Sequence, residues 1–243
     1  RSRPAVSATS WWRRAAIEAL RNLHDPQGVS QPMNKLLIAS ALALLSWSAR
    51  ADGLQDLETF LREVRSAQAG FTQVVTSPKR ANETVARSKT SSGRFEFLRP
   101  GRFRFEYTRP FPQTIVADGQ TLWLYDADLN QVTARAQKDA LGSTPAALIA
   151  SGTDLKALGE VFELKAAPAQ DGLEWIEAKP KAKDGQLQNV RVGFKAGQLA
   201  VLEIADSLGQ RSVLTFSQWQ GNVPLKVEQF SFKPPAGASV IRP

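Results

Sequence analysis

The side chains that most often perform catalysis or bind metals are scarce in this sequence. It contains no cysteine and one histidine, His24, so a histidine-based triad, a cysteine nucleophile or a thiolate metal site lacks its usual residues. Carboxylates are scattered, and no pair stands out as a glycosidase pair. Residues 126–130 lack the glycine and terminal glutamate of an EF-hand loop. We therefore predict no catalytic residue, no metal site, no cofactor and a protein that is not an enzyme.

Arg99 is the charged residue whose position attracts most interest. It lies in the turn Leu98-Arg99-Pro100-Gly101 between two phenylalanine-rich segments. One interpretation is a solvated turn arginine. The other is a guanidinium that reaches across the mouth of a cavity to backbone carbonyls, a task suited to a group with five donors that stays charged.

Large aromatic side chains are the second candidate group. They could simply fill a core, or part of the set could line a hydrophobic pocket, since ligand pockets are mostly apolar with few polar groups. Composition alone does not separate these alternatives. The set comprises Phe95, Phe97, Phe103, Phe105, Tyr107, Trp123 and Trp175.

Most of the chain has the two-residue period of β-strands. Phe103 and Phe105 alternate with arginines, and Leu122 and Leu124 alternate with Trp123. Turn signals such as Asp118-Gly119 separate the runs, which predicts an antiparallel meander of about eleven strands. The later predicted strands are 161–166, 173–178, 187–194, 199–206, 213–219 and 226–232.

Little helix is available to cover such a sheet. Leu57, Phe60 and Leu61 recur at helical spacing and predict a helix over 56–68. Short helices are predicted over 144–150, where proline follows a threonine cap, and over 153–158. Because these segments cannot cover eleven strands, the sheet must curl. The predicted fold is mainly β with short α: a half-open antiparallel barrel with a small helical lid over a hydrophobic cavity.

The N-terminal region has the layout of a secretory signal. Met33 precedes a basic residue, an apolar run and the motif Ala49-Arg50-Ala51. The apolar run is too short to span a membrane, which takes roughly 20 residues. We predict an upstream or spurious segment over 1–32, a signal peptide over 33–51 and one domain over 52–243.

The net charge does not indicate a nucleic-acid partner. The whole chain carries +8, but seven of the 31 basic and two of the 23 acidic residues precede residue 52, which leaves 24 basic and 21 acidic residues. That balance lacks the clustered basic residues needed to displace counterions from nucleic acid.

Four motifs resemble a known family, the outer-membrane lipoprotein carrier proteins called LolA. They occur in the family's order with compatible spacing and together extend over nearly all of 52–243. They are Gly93-Arg94-Phe95-Glu96-Phe97-Leu98-Arg99-Pro100 with Phe103-Arg104-Phe105, Asp118-Gly119-Gln120-Thr121-Leu122-Trp123-Leu124-Tyr125, Lys138-Asp139-Ala140 with Thr144-Pro145 and Leu148-Ile149, and Phe230-Ser231-Phe232-Lys233-Pro234-Pro235-Ala236-Gly237.

The resemblance implies a monomeric periplasmic chaperone. It would take lipoproteins from an inner-membrane ABC-type lipoprotein-releasing complex and deliver them to an outer-membrane lipoprotein receptor. Arg99 would be the lid gate, and Phe103 would receive cargo. Ala67 stands where some relatives have a bulky aromatic residue, so the resemblance does not define the shape of the cavity at the end of the first helix. The implied cargo-binding cavity comprises Leu57, Leu61, Phe71, Phe95, Phe103, Phe105, Leu148 and Ile149.

Three other functions are weighed against a carrier. The related outer-membrane receptor is anchored through a lipidated N-terminal cysteine, and this sequence has no cysteine. A periplasmic lipid- or lipoprotein-sensing regulator with the same half-barrel is expected to have a further C-terminal domain. A hydrolase is disfavoured by the missing histidine and cysteine.

Overall fold

The alternation of apolar and polar side chains produces one sheet of twelve strands. The computed structural model describes residues 53–79, 85–138, 149–150, 154–182 and 187–242, all of which fall in one compact unit over 50–243. Helix α1 is Gly53–Glu63 and helix α2 is Leu155–Val161. The strands are β1 (Ser66–Ser77), β2 (Arg87–Leu98), β3 (Arg102–Arg109), β4 (Gln113–Ala117), β5 (Thr121–Asp126), β6 (Gln131–Ala136), β7 (Phe162–Gln170), β8 (Leu173–Pro180), β9 (Leu187–Lys195), β10 (Gln198–Asp206), β11 (Arg211–Gly221) and β12 (Ser239–Ile241).

The strand order shows that the sheet is open. It runs β12-β6-β5-β4-β3-β2-β1-β11-β10-β9-β8-β7, so β12 and β7 form the two edges. Every pair is antiparallel except β12 with β6, which is parallel. The prediction of a half-open antiparallel barrel is confirmed. The short parallel strand β12 was not predicted.

The first helix is shorter than predicted. It ends at Glu63, whereas the sequence pattern indicated a helix to residue 68, and Ser66 already begins β1. Ser66 donates its hydroxyl to the Val223 carbonyl at 2.6 Å, and Ala67 pairs with both Phe97 and Gly221. Pairing on both sides of β1 therefore overrides the local helical pattern.

The predicted strand over 226–232 is also wrong. Val227–Phe230 form a 3-10 helix, in which the Gln229 side chain accepts from the Lys226 amide at 2.6 Å. Phe230 is fully buried, and the Phe232 ring lies 5.5 Å from Trp123. The two phenylalanines pack on the outer face of the sheet because the 3-10 helix and the residues after it cross that face, and this segment does not pair within the sheet.

The predicted mid-chain helices are only partly within the described residues. Residues 149 and 150 are helical, and the remainder of 144–150 lies outside the described part. Helix α2 begins later than predicted, after Asp154, whose carboxylate caps the Ala157 amide at 2.7 Å. The predicted signal peptide and the upstream segment also lie outside the described residues.

The core is an aromatic cluster between α1 and the concave face of the sheet. Phe60 of α1 contacts Phe97 at a centroid distance of 6.1 Å and Phe194 at 5.6 Å. Phe95 continues the cluster to Phe105, at 4.5 Å, and to Phe216, at 5.4 Å. Edge-to-face and offset contacts of this kind add to the stabilisation from burial.

Candidate functional site

An apolar cavity of about 450 Å³ lies on the concave face of the sheet. One wall comes from β3 to β6 and the other from β1, β10 and β11. Its volume is within the range of roughly 300–1,000 Å³ that small-ligand pockets occupy. The lining residues are Gln73, Phe103, Phe105, Tyr107, Ile115, Leu122, Leu124, Thr133, Arg135, Leu202, Ile204 and Leu214.

Strand register explains why these side chains share one face. Phe105 pairs with Ile115, which pairs with Leu124, and directly opposite residues in a sheet project to the same side. Trp123 therefore projects to the outer face. There its indole donates to Asp118 at 2.8 Å, so Trp123 does not line the cavity.

Helix α1 leaves this part of the concave face open. It packs against β7, β8, β9 and β10, and its Phe60 lies 6.0 Å from Trp219 of β11. The cavity lies on the other side of that aromatic layer, and most of its lining comes from β3 to β6. The open space thus results from a helix that covers only half of a curled sheet.

The residues predicted for the cavity divide into two groups. Phe103 and Phe105 line it. Five others lie in the packed core beside it, namely Leu57, Leu61, Phe71, Phe95 and Ile149. Leu148 lies outside the described residues. Phe71 and Phe95 each contact the Phe105 ring, so they support the cavity wall from behind.

Arg99 is buried, with 8% of its surface exposed. Its Nη1 donates to the carbonyls of Phe60, at 3.0 Å, and Leu61, at 2.9 Å, and also to that of Val64. Its Nη2 donates to the Ile149 carbonyl at 2.8 Å. The guanidinium therefore joins the carboxyl end of α1, where carbonyls lack helical partners, to residues 149–150. We call these two segments the lid.

The surroundings of Arg99 stabilise its charge only in part. The guanidinium carbon lies 4.8 Å from the Phe60 ring centre and 5.2 Å from that of Phe97, both within cation–π range. Burial, with a smaller contribution from Arg65, lowers the pKa of Arg99 to about 10. The group therefore remains charged at neutral pH. Among the residues that the structure describes, its buried Nε has no hydrogen-bond partner, which is an energetic cost of the closed arrangement.

Gln137 is a buried residue that sequence reasoning missed. Its Nε2 donates to the Gly101 carbonyl at 2.6 Å and its Oε1 accepts from the Gly119 amide at 2.9 Å. Gly101 in turn donates its amide to Ala150 at 3.0 Å. Gln137 thus fixes the turn that contains Arg99 to the next turn of the sheet.

A chain of polar side chains at the far end of the cavity was also missed. The Tyr107 hydroxyl donates to Gln73 Oε1 at 2.9 Å, and Gln73 Nε2 donates to Ser212 at 2.7 Å. Burial raises the pKa of Tyr107 to about 12, so the phenol stays protonated. The only sequence signal was a polar residue, Gln73, at an inward position of β1.

The described residues offer hydrophobic binding rather than metal chemistry. Within the ranges that the structure covers, no group of three histidine, cysteine, aspartate or glutamate side chains could hold a metal ion. No helix in the same ranges is both long and apolar enough to cross a membrane.

Comparison with known proteins identifies similar chains. Residues 62–233 match the family model described as outer membrane lipoprotein carrier protein LolA. A protein named outer-membrane lipoprotein carrier protein from Albidiferax ferrireducens is 58% identical, over 86% of this chain and 99% of its own length. One of the same name from Methylibium petroleiphilum is 50% identical, over 83% of this chain and 95% of its own.

The solved structures that match this chain are more distant in sequence. A LolA superfamily protein from Nitrosomonas europaea is 14% identical, with a TM-score of 0.42, and the match covers 74% of this chain and 96% of that one.

Proposed function

The chain belongs to the LolA family of outer-membrane lipoprotein carrier proteins, and from this premise we propose how it shelters and releases its cargo. The acyl chains of a lipoprotein occupy the apolar cavity between β3–β6 and β10–β11. The observation that carries this proposal is the cavity itself, about 450 Å³ of apolar space beside a packed core. No chemical step is needed for such a role, so we also propose that the protein has no catalytic activity.

The free energy of hydrating an acyl chain makes such a shelter necessary. Burial of a methylene group contributes ~0.8 kcal/mol, so exposing a chain of roughly 15 methylenes to water costs about 12 kcal/mol. A lipoprotein with several such chains would not cross an aqueous compartment unaided. A cavity that covers the chains removes most of this cost.

Arg99 is the proposed gate of the lid. Its hydrogen bonds to the Phe60, Leu61 and Ile149 carbonyls hold α1 and residues 149–150 together. Hydrogen bonds to a charged donor contribute roughly 1.5–3 kcal/mol each, but a buried donor without a partner subtracts about 1–3 kcal/mol. With its Nε unpartnered, Arg99 favours the closed lid by a margin that cargo or a partner protein can reverse.

Phe103 and Phe105 are the proposed contacts for the acyl chains of received cargo. Phe103 follows Arg99 by four residues and lines the end of the cavity nearest the lid. Leu57, Leu61, Phe71, Phe95, Leu148 and Ile149 complete the proposed cargo-binding set. Those that now pack as core would become accessible as the lid opens.

The finer biological setting is part of the proposal. Lipoproteins would come from an inner-membrane ABC-type releasing complex and pass to an outer-membrane receptor. The chain would reach the periplasm through a signal peptide at 33–51, and residues 52–243 would act as one monomeric carrier domain. The relatives named outer-membrane lipoprotein carrier protein, matched over 99% and 95% of their own length, support this setting.

The decisive test is release of lipoprotein from membranes. Inner-membrane vesicles that hold labelled lipoprotein are incubated with ATP and the purified protein, then sedimented. We expect label in the supernatant in a one-to-one complex with the protein. Label that stays with the vesicles would contradict carriage and favour the lipid-sensing alternative.

A further inference from the structure

A second cavity, of about 580 Å³, adjoins the far end of the apolar cavity. The two share Gln73 and Tyr107, which line both. The lining of the second cavity is more polar than that of the first and includes charged groups of both signs. Its lining residues are Gln73, Val75, Lys89, Ser91, Tyr107, Pro110, Phe111, Pro112, Gln113, Asp126, Asp128 and Leu129.

The boundary between the two cavities is the polar chain Tyr107–Gln73–Ser212. Gln73 bonds to both neighbours, at 2.9 and 2.7 Å. The Tyr107 ring stands edge-on to Phe71 at 5.0 Å, which fixes the hydroxyl at the end of the apolar wall. Tyr107 donates its single hydroxyl hydrogen to Gln73, so the second Nε2 hydrogen of Gln73 and the Ser212 hydroxyl remain as donors for a carbonyl group at the end of the apolar cavity.

The opposite end of the cavity adjoins the lid. There Arg99 engages the carbonyls of the lid, and Gln137 fixes the adjoining turn. Arg135 lies on that side, where its strand position pairs with Leu122. The second cavity adjoins the Tyr107 end, so space for a bulky polar segment is found there.

The rim of the second cavity is unusually apolar for a surface. Phe111 is 58% exposed and Leu129 is 70% exposed, and the Lys89 ammonium lies 5.0 Å from the Phe111 ring centre. Exposed apolar residues beside charged ones fit a chain segment of mixed polarity. A peptide backbone with ester and amide groups has that character.

We propose that the cargo is bound with a fixed direction, with its acyl ends toward Phe103 and its polar head at Tyr107 and Gln73. The ester and amide carbonyls that join the acyl chains to the peptide accept hydrogen bonds there, and the first peptide residues occupy the second cavity. This inference rests on the proposed carrier function and assigns the orientation of its ligand.

Photo-crosslinking tests the direction. The probe is a synthetic tripalmitoylated cysteinyl peptide with a benzophenone on the residue after the acylated cysteine. After isolation of the one-to-one complex and irradiation, peptide mass spectrometry locates the adducts. We expect them at Phe111, Leu129 or Lys89. Adducts at Arg65, Gly101 or Arg135 would overturn the proposed direction while leaving carriage intact, and failure to form any complex would overturn both proposals.

A matched pair of tyrosine variants tests the hydrogen bond. The chain has two tyrosines, and the hydroxyl of Tyr125 bonds to Asn130 on the outer face, at 3.4 Å. Tyr107→Phe removes the hydrogen bond that orients the Gln73 amide, so we expect binding of the lipopeptide to weaken by roughly three- to tenfold, with an unchanged affinity for a plain alkyl probe. Tyr125→Phe should change neither affinity. If Tyr107→Phe lost the same affinity for the lipopeptide as for the alkyl probe, the hydroxyl would only support packing. That result would contradict the proposed position of the polar head.

Discussion

Arg99 illustrates how one charged side chain can make a lid both stable and releasable. Its two terminal nitrogens bond to backbone carbonyls on two separate segments, while its Nε remains buried and unpartnered. A hydrophobic residue of similar length would keep some packing against Phe60 and Phe97 but would lose every hydrogen bond. The lid would then have no specific fastening to the turn after β2.

Replacement of Arg99 by leucine should impair hand-over more than loading. The variant loses the hydrogen bonds that stabilise the closed lid of the empty protein. Lid closure then favours release of the cargo by less free energy, so lipoprotein stays on the carrier. The measurement is transfer of labelled lipoprotein from the isolated complex to outer membranes that contain the receptor. Arg94→Leu, at an exposed position of β2, is the control. Transfer by Arg99→Leu equal to that of the parent would contradict the gate.

At the scale of elements, the contact between β2 and β3 depends on a glycine. A Cβ atom at Gly93 would lie 2.0 Å from the Glu106 carbonyl oxygen, and the register shifts at this point between Ser92 and Gly93. Backbone atoms cannot move aside as a flexible side chain can. Any side chain at this position therefore forces the two strands apart.

Gly93→Ala should accordingly lower the free energy of unfolding by about 1–3 kcal/mol, as overpacking does. Gly159→Ala in α2 is the matched control, since its Cβ would meet nothing within 4 Å. Alanine at that helical position should be neutral or stabilise by up to ~1 kcal/mol. The midpoint of urea denaturation is measured for both variants. Equal midpoints would refute this account of the contact between β2 and β3.

The turn between β4 and β5 depends on Asp118. Its carboxylate accepts from the amides of Gln120, at 2.8 Å, and Thr121, at 2.7 Å, and from the Trp123 indole. Burial alone would raise the pKa of Asp118, but these bonds, with the nearby Arg102, lower it below 3.8. Because the pKa is depressed in the folded state, the stabilisation is complete above pH 3.8 and is lost as the pH falls through the folded value.

Asp118→Ala should therefore destabilise the protein at pH 7 by roughly 1–2 kcal/mol, a modest figure because the group is partly exposed to solvent. The difference from the parent should shrink as the pH is lowered below 4. Urea titrations at several pH values measure this, with Asp128→Ala, an exposed carboxylate, as the control. A difference that stays constant down to pH 2.5 would exclude the carboxylate as the cause.

At the scale of the whole molecule, one half of the concave face of the sheet is filled by packed side chains and the other half encloses a cavity. We call these the solid half and the hollow half. Helix α1 and the aromatic cluster fill the concave face near β7–β10, while β3–β6 and part of β10–β11 enclose about 450 Å³. The outer face of β3–β6 is covered in turn by the C-terminal segment through Phe230 and Phe232. The hollow half is thus supported from outside, which allows it to remain open inside.

A larger side chain in the cavity should weaken ligand binding without lowering the stability of the fold. Leu124→Trp places a larger ring in the cavity, so affinity for a fluorescent fatty-acid probe should fall roughly tenfold or more, which is ~1.4 kcal/mol. The urea midpoint should be unchanged or higher, because apolar surface gains contacts. Leu208→Trp, at a position 77% exposed, is the control. Undiminished probe binding would place the acyl site elsewhere.

The amino-acid sequence alone was enough to predict most of the helices and strands, and the protein family. Two-residue alternation, turn signals such as Asp118-Gly119 and the apolar spacing of Leu57, Phe60 and Leu61 are local properties, since each follows from the backbone geometry of its own segment. Too little helix for so large a sheet also indicated an open barrel. The four motifs, read in order, then indicated the family of lipoprotein carriers.

Which of the inward side chains face the cavity could be seen only in the tertiary structure. Phe95 and Phe105 have the same pattern in sequence and both belong to the buried cluster, yet of the two only Phe105 also lines the cavity, because α1 covers one half of the sheet and not the other. The same holds for the alternating Phe230 and Phe232, which pack on the sheet from outside. Packing between distant segments carries no local signal, so these outcomes depend on how the whole chain is arranged.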